Sequence, residues 1–334
     1  MRNKNYILKI LFLIVIPAVI LISVFFIILN IKPSDRNIKI AMVIKSMDPS
    51  LNFWQIVRSG ATTAKDEYGV NLKITGPWLE SDISGQKKIL EDMIHEKPSA
   101  IILAALDYKE LLPVIKKIDS YNIPVITIDS GVNSDIPRSF IATDNIEAGE
   151  KLGIYMDGLL SNGDTIAILS FVKGADSAID REKGVRNIIN AGEKISIEGS
   201  YYCDNFREKA YEITLKIIKD KPGIKGIIAL NDPSTAGAAR AIKEKRMENS
   251  IILIGFDNGT EVIEYMEEGI VKALVVQKPF NMGYLSIKTA IETIKKKKVE
   301  KRIDTGSVLI SRENMYTQEN QKLLFPLTKE IPLQ

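Results

Sequence analysis

Hydrogen-bonding side chains follow apolar runs at six places in this chain: Asp107 after AIILAAL, Asp129 after PVITI, Asp144 after FIAT, Asn231-Asp232 after GIIAL, Asp257 after ILIGF and Gln277 after VKALVV. If the runs are strands of a parallel sheet, these residues sit outside the carboxyl ends, where open α/β sheets bind ligands. Taken singly, each also suits a helix N-cap or a turn. In series they describe a lined cleft. A carboxylate accepts two hydroxyls at once, Asn and Gln both donate and accept, and a guanidinium donates in a rigid fork, a set suited to a small polyhydroxylated molecule. Phe53-Trp54 offers an aromatic surface for the C–H face of a sugar ring, or else packs in the core.

Other chemistry is hard to build from this composition. One Cys (Cys203) and one His (His95) in 334 residues leave no internal disulfide, zinc cluster or Ser-His-Asp triad. His95 in DMIHEKP reads as a surface or capping residue, and Cys203 in YYCDN as a small, partly buried one. There is no GxGxxG after the first strand, no GxxxxGK[ST] and no HExxH, so no cofactor, metal or enzymatic activity is expected. Lys+Arg 45 against Asp+Glu 42 gives no footprint for nucleic acid. Asn258-Gly259-Thr260 matches a glycosylation sequon but reads first as a turn.

The elements that must position these residues alternate. Apolar runs at 38–44, 71–75, 100–106, 124–128, 165–171, 195–202, 225–230, 251–256 and 271–276 are separated by helical patterns, such as Phe53 to Tyr68, which Gly69 stops. This predicts two doubly wound α/β lobes with parallel sheets, the segment Arg138 to Asp144 crossing between them. The lysines at 295–298 read as the solvated end of a helix, and the stretch from Tyr316 as a packed extension or a loose tail. Ahead of the lobes, Ile10 to Leu29 carries no charge over 20 residues, enough to span a membrane as a helix. Arg2, Lys4 and Lys9 precede it, which keeps a tail of residues 1–9 in the cytoplasm and sends the lobes outside. An uncleaved anchor at 10–30 and a linker at 31–37 are therefore expected.

From about Ile38 to Tyr316 the sequence resembles the type I periplasmic sugar-binding proteins, among them the ribose and xylose binders, which share their core with LacI-type repressors. The likeness rests on NFWQIVRSGATTAKDEYG (52–69), IPVITID (123–129), IATDN (141–145), GADSAIDREKG (174–184), NDPSTAGAARAI (231–242), IGFDN (254–258), VVQKPFNMGYLS (275–286) and IDTGSVLISREN (303–314). It implies Phe53, Trp54, Asp129, Arg181, Asn231, Asp257 and Gln277 as ligand contacts, with Asn205, Asp48 and Asp107 as further candidates. It also implies an N-terminal lobe of 38–143 plus 278–303 and a C-terminal lobe of 144–277 plus 304–315, followed by an extension at 316–334. The lobes would hinge near Thr143, Gln277 and Ile303. Ser130 stands where many ribose binders carry Arg, and with Asp48 and Trp54 this turns the expectation from ribose toward xylose. With the anchor, the resemblance points to a membrane-held sugar sensor that pairs with a LytS-type sensor histidine kinase; the other expectation is the binding subunit of an ABC sugar importer working with its permease.

Overall fold

The computed structural model describes residues 38–326. The expected anchor at 10–30, its flanking segments and the last residues of the extension lie outside them. Among the described residues no helix is long and apolar enough to cross a membrane.

The first sheet collects β1 (Lys39–Val43), β2 (Asn71–Thr75), β3 (Ala100–Leu103), β4 (Val125–Ile128), β5 (Ser139–Ala142) and β11 (Arg302–Asp304), in the order β11-β5-β4-β3-β1-β2. All of its pairings are parallel. The second sheet collects β6 (Thr165–Ser170), β7 (Ser196–Tyr202), β8 (Ile224–Ala229), β9 (Ile252–Phe256), β10 (Val271–Gln277) and β12 (Ser307–Ser311), in the order β12-β10-β9-β8-β6-β7. Here the edge strand β12 runs antiparallel to β10. Every residue of β3 and β4 is buried, which is why both read as unbroken apolar runs: a parallel sheet is covered on both faces.

Helices α1 (Asn52–Tyr68), α2 (Ile83–Glu96) and α3 (Leu112–Ser120) cover the first sheet together with α9 (Pro279–Ile294), which packs along α1. Helices α4 (Asn145–Leu159), α5 (Asp176–Gly192), α6 (Arg207–Asp220), α7 (Asp232–Glu244) and α8 (Thr260–Glu267) cover the second. Gly69 ends α1 as its sequence requires, at φ 66° with its N–H on the Lys65 carbonyl. Each sheet has its own apolar core.

The chain passes between the sheets three times: at Thr143-Asp144 between β5 and α4, at Lys278 between β10 and α9, and at Thr305-Gly306 between β11 and β12. Gly306 takes φ +74°, a turn conformation that favours glycine. The stretch from Tyr316 is a packed extension as far as it is described. Its helix α10 (Gln318–Leu324) buries Leu324, and its last carbonyls at Leu323 and Leu324 accept from Asn258 Nδ2 at 2.8 and 3.3 Å. Asn258 is thus buried in a structural role, in keeping with its reading as a turn residue.

Candidate functional site

A cavity lies between the carboxyl ends of the two sheets. Eight of the sequence candidates line it together: Phe53, Trp54, Asp129, Arg181, Asn205, Asn231, Asp257 and Gln277.

The two aspartates hold matching places, each the first residue after a central strand, Asp129 after β4 and Asp257 after β9. Both take left-handed backbone angles, φ 58° and 69°, a conformation that Asp tolerates better than most residues and that marks functional turns. Their N–H groups are tied to the neighbouring strands, Asp129 to the Ile141 carbonyl at 3.0 Å and Asp257 to the Val275 carbonyl at 2.9 Å. The strain is therefore held by the sheets.

Around Asp129 the structure adds a residue that the strand-end pattern did not pick out. Lys45, two positions past β1, places Nζ 2.6 Å from Asp129 Oδ2 and 2.6 Å from Ser130 Oγ, with both charged side chains buried. Ser130 joins this lysine to Ser177 Oγ of the opposite lobe at 2.8 Å. Glu80 is a second addition. It sits in the loop after β2 and accepts from Trp54 Nε1 at 2.7 Å, while burial pushes its carboxyl above the usual range. Trp54 is itself buried, and Phe53 meets it edge-on, ring centroids 4.9 Å apart at 88°. One aromatic of the pair is fixed by its indole hydrogen bond, and the other, half-buried, lines the cavity.

The second lobe supplies Arg181 from α5. Its guanidinium donates to Asn145 Oδ1 at 2.9 Å and the Leu230 carbonyl at 2.8 Å, and lies 3.7 Å from the centre of the Phe256 ring. Burial lowers its pKa, against the charges of Asp257, Asp129 and Glu80. Asn231 caps α7 through Oδ1, which accepts from Ser234 N at 3.1 Å, and donates Nδ2 to Asn205 Oδ1 at 2.5 Å. Capping and cleft lining are thus combined in one residue. Gln277 donates to Asp257 Oδ1 at 2.7 Å and accepts from Thr143 Oγ1 at 2.9 Å, which connects the cavity to a crossing segment. Burial raises the Asp257 pKa, with Arg181 and Gln277 opposing.

Asp48 and Asp107 are not brought into this cavity. Asp48 Oδ1 accepts from Ser50 N, and Asp107 Oδ1 from Lys109 N and Glu110 N, so both carboxylates are occupied by turns. Asp144 likewise caps α4 through Glu147 N. His95 is exposed in the last turn of α2, and Cys203 is fully buried, its thiol pushed up by burial to about 11. The cavity therefore presents a mixed set of acceptors, amides and buried cations beside aromatic rings, an arrangement that binds hydroxyls in directions fixed beforehand.

Comparison with known proteins agrees with this geometry. Residues 40–298 match the family model described as a periplasmic binding protein domain. The ribose import binding protein of Bacillus subtilis is 26% identical over 81% of this chain and 88% of its own length. Among solved structures, an ABC transporter solute-binding protein from Agrobacterium vitis with bound D-fucose is 34% identical, with TM-score 0.82, over 86% of this chain and 100% of that one. A carbohydrate transporter solute-binding protein from Agrobacterium radiobacter in complex with D-arabinose is 30% identical, with TM-score 0.81, over 86% of this chain and 98% of that one.

Proposed function

We propose, for a chain that belongs to the periplasmic binding protein domain family, that it captures a monosaccharide between its lobes and hands it to an ABC permease. The protein is of the sugar-binding kind, and its homologues are binding proteins rather than enzymes. The observation that carries the reading is the cavity itself: Asp129, Asn205, Asn231, Asp257, Gln277 and Arg181 converge from both lobes beside Phe53 and Trp54. Lys45 and Glu80 complete the wall. The transporter role is supported by the likeness of the chain, over most of its length, to solute-binding proteins of this kind. The sugar is an aldopentose or a deoxy- or aldohexose, and xylose remains the choice that the sequence favours.

Calorimetric titration of the protein with ribose, allose, arabinose, fucose and xylose tests this. One sugar is expected to bind, and at ~100 times its dissociation constant to stabilise the fold by about 2.7 kcal/mol. Replacing Asp257 by Asn is expected to remove that binding. Binding of none of them, or binding indifferent to Asp257→Asn, sinks the reading.

The uncharged run from Ile10 to Leu29 favours a second reading, in which the same capture event is reported across the membrane to a sensor histidine kinase by a protein held on its own helix. Deleting the gene separates the two. A binding subunit takes uptake of the sugar with it, whereas a sensor leaves uptake in place and abolishes sugar-induced transcription.

A further inference from the structure

A second cavity opens between the lobes on the far side of the wall formed by Ser130 and Ser177. Its floor is made by β4 and β5 of the first sheet, where Thr127 and Ser139 are each 1% exposed and Phe140 lies beside them. Its opposite wall is the first turns of α5, which present Asp176 and Asp180. Lys301 and Arg302, exposed, also line it, Arg302 as the first residue of β11 and Lys301 just before it.

Three features set this place apart from an ordinary crevice. The Ser139 hydroxyl, buried at the floor, has no hydrogen-bond partner among the described residues, a cost that a native fold seldom carries without reason. Among the described residues neither carboxylate has a cation within ion-pair distance, although Arg302 is near enough to act on both electrostatically and Lys45 on Asp176 as well. Burial raises the pKa of each, and Tyr108 across the cavity feels the charge of both. Finally, the lining belongs to both lobes, which meet here through the Gly131 N–H donating to Asp176 Oδ2 at 3.1 Å. That bond leaves the other oxygen of Asp176 open to the cavity.

Negative charge on α5, positive charge at the start of β11 and an unpaired hydroxyl on the floor form a dipolar site. We propose that this second cavity binds a small zwitterion of the amino-acid class, its ammonium group on Asp176 and Asp180 and its carboxylate on Arg302 and Lys301. A molecule so placed touches the first sheet, with its strand β11, and α5 at once, and is held only while the lobes are together. By linkage it then raises the affinity of the first cavity for its own ligand, and that ligand raises the affinity for the zwitterion by the same factor. The site stands without the sugar reading; only this coupling rests on it.

The test is calorimetric titration of the full chain, kept in detergent, with glycine, L-alanine, L-serine and L-glutamine, alone and with each sugar of the panel. Saturable binding of at least one amino acid is expected, weakened about tenfold or more by Asp180→Asn and by Arg302→Gln, since each removes one charged partner. Asp257→Asn is expected to leave that binding in place while removing sugar binding, so the two sites fail separately. Arg302 is exposed, so its variant keeps the test open if Asp180→Asn does not fold, as judged by its unfolding midpoint. No saturable binding with or without sugar overturns the proposal, as does binding that neither variant weakens. Binding that Asp257→Asn abolishes and Arg302→Gln spares places the amino acid in the first cavity and overturns it equally.

Discussion

Asp232 opens α7 at the edge of the sugar cavity, nearly buried, and its carboxyl is pushed up to about 7 by burial and then by the charge of Asp257. The folded protein therefore holds this proton more tightly than the unfolded chain, whose carboxyl titrates near 3.8. Stability contributed by the protonated form is fully present below about pH 4 and is lost as the pH rises toward about 7, with a ceiling of roughly 4 kcal/mol. Glu80 and Asp257, also raised by burial, add slopes of the same sign. Denaturant unfolding between pH 4.5 and 8 is expected to show stability falling with pH in the sugar-free protein, and Asp232→Asn to flatten that fall. An unchanged slope in the variant would place the proton elsewhere. The same neighbourhood marks what single residues disclose in advance. Asp129, Asn231, Asp257 and Gln277 stand directly after apolar runs, and strand ends are where such sheets bind. Lys45 stands close behind β1 as well, but a lysine there also reads as a solvated strand end, and its role depends on Asp129, which only the folded sheet brings beside it across β3. Glu80 lies in a loop without period, identified by nothing in the sequence until Trp54 Nε1 reaches it. Asp48 and Asp107 carry the right chemistry at a plausible place, yet nearby backbone N–H groups compete for them first.

At the scale of elements, the position of Arg181 depends on how closely α5 approaches α4. A Cβ built on Gly149 of α4 would stand 2.1 Å from the Arg181 carbonyl oxygen, far inside contact distance, and the obstacle is backbone that cannot turn aside. Gly149→Ala must therefore push the two helices apart, at a cost of about 1–3 kcal/mol, and carry the guanidinium away from Asn145 and from the cavity. Loss of stability in denaturant together with weaker sugar binding is the expected pair of results. Full affinity in a destabilised variant would show that Arg181 can re-seat independently of its helix. This dependence explains which elements could be read from the sequence. The long apolar runs became β1, β3, β4, β6, β8, β9 and β10 because a covered parallel sheet imposes burial on successive residues, whereas the edge strands β2 and β7 alternate exposed and half-buried positions. β11, three residues with an exposed, half-buried, exposed pattern, carries no such signature, and β5 is visible in the sequence only as part of a crossing segment. Helix α10 is amphipathic over too few residues to announce itself, and its docking is decided by Asn258 far away in the chain.

For the whole molecule the question is what holds the lobes together. In this structure the polar contacts between them include Ser130 with Ser177, a buried pair, Gly131 N with Asp176, Tyr108 N on the Gly174 carbonyl at 3.0 Å and Asn52 Nδ2 on the Asn258 carbonyl at 3.5 Å. Such contacts contribute little net stability in the absence of ligand, so a sugar that bridges Asp129 and Lys45 on one side to Arg181, Asn231 and Asp257 on the other can shift the population toward the closed form. Gln277 and Thr143 join this equilibrium to the crossing segments through a single hydrogen bond, Thr143 Oγ1 to Gln277 Oε1 at 2.9 Å, on the side of Gln277 opposite to the amide that holds Asp257 Oδ1 at 2.7 Å. Thr143→Val removes that bond and leaves the cavity wall intact. If it lowers only the fraction of closed molecules, the apparent dissociation constant rises by the inverse of that fraction, several-fold for a loss of about 1 kcal/mol. Small-angle scattering should then show the same contraction at saturating sugar in the variant and in the parent, reached at a higher sugar concentration in the variant. A contraction smaller than the parent's at saturation would mean that the crossing segment sets the closed geometry itself, and that the hinge and the binding wall are one device rather than two.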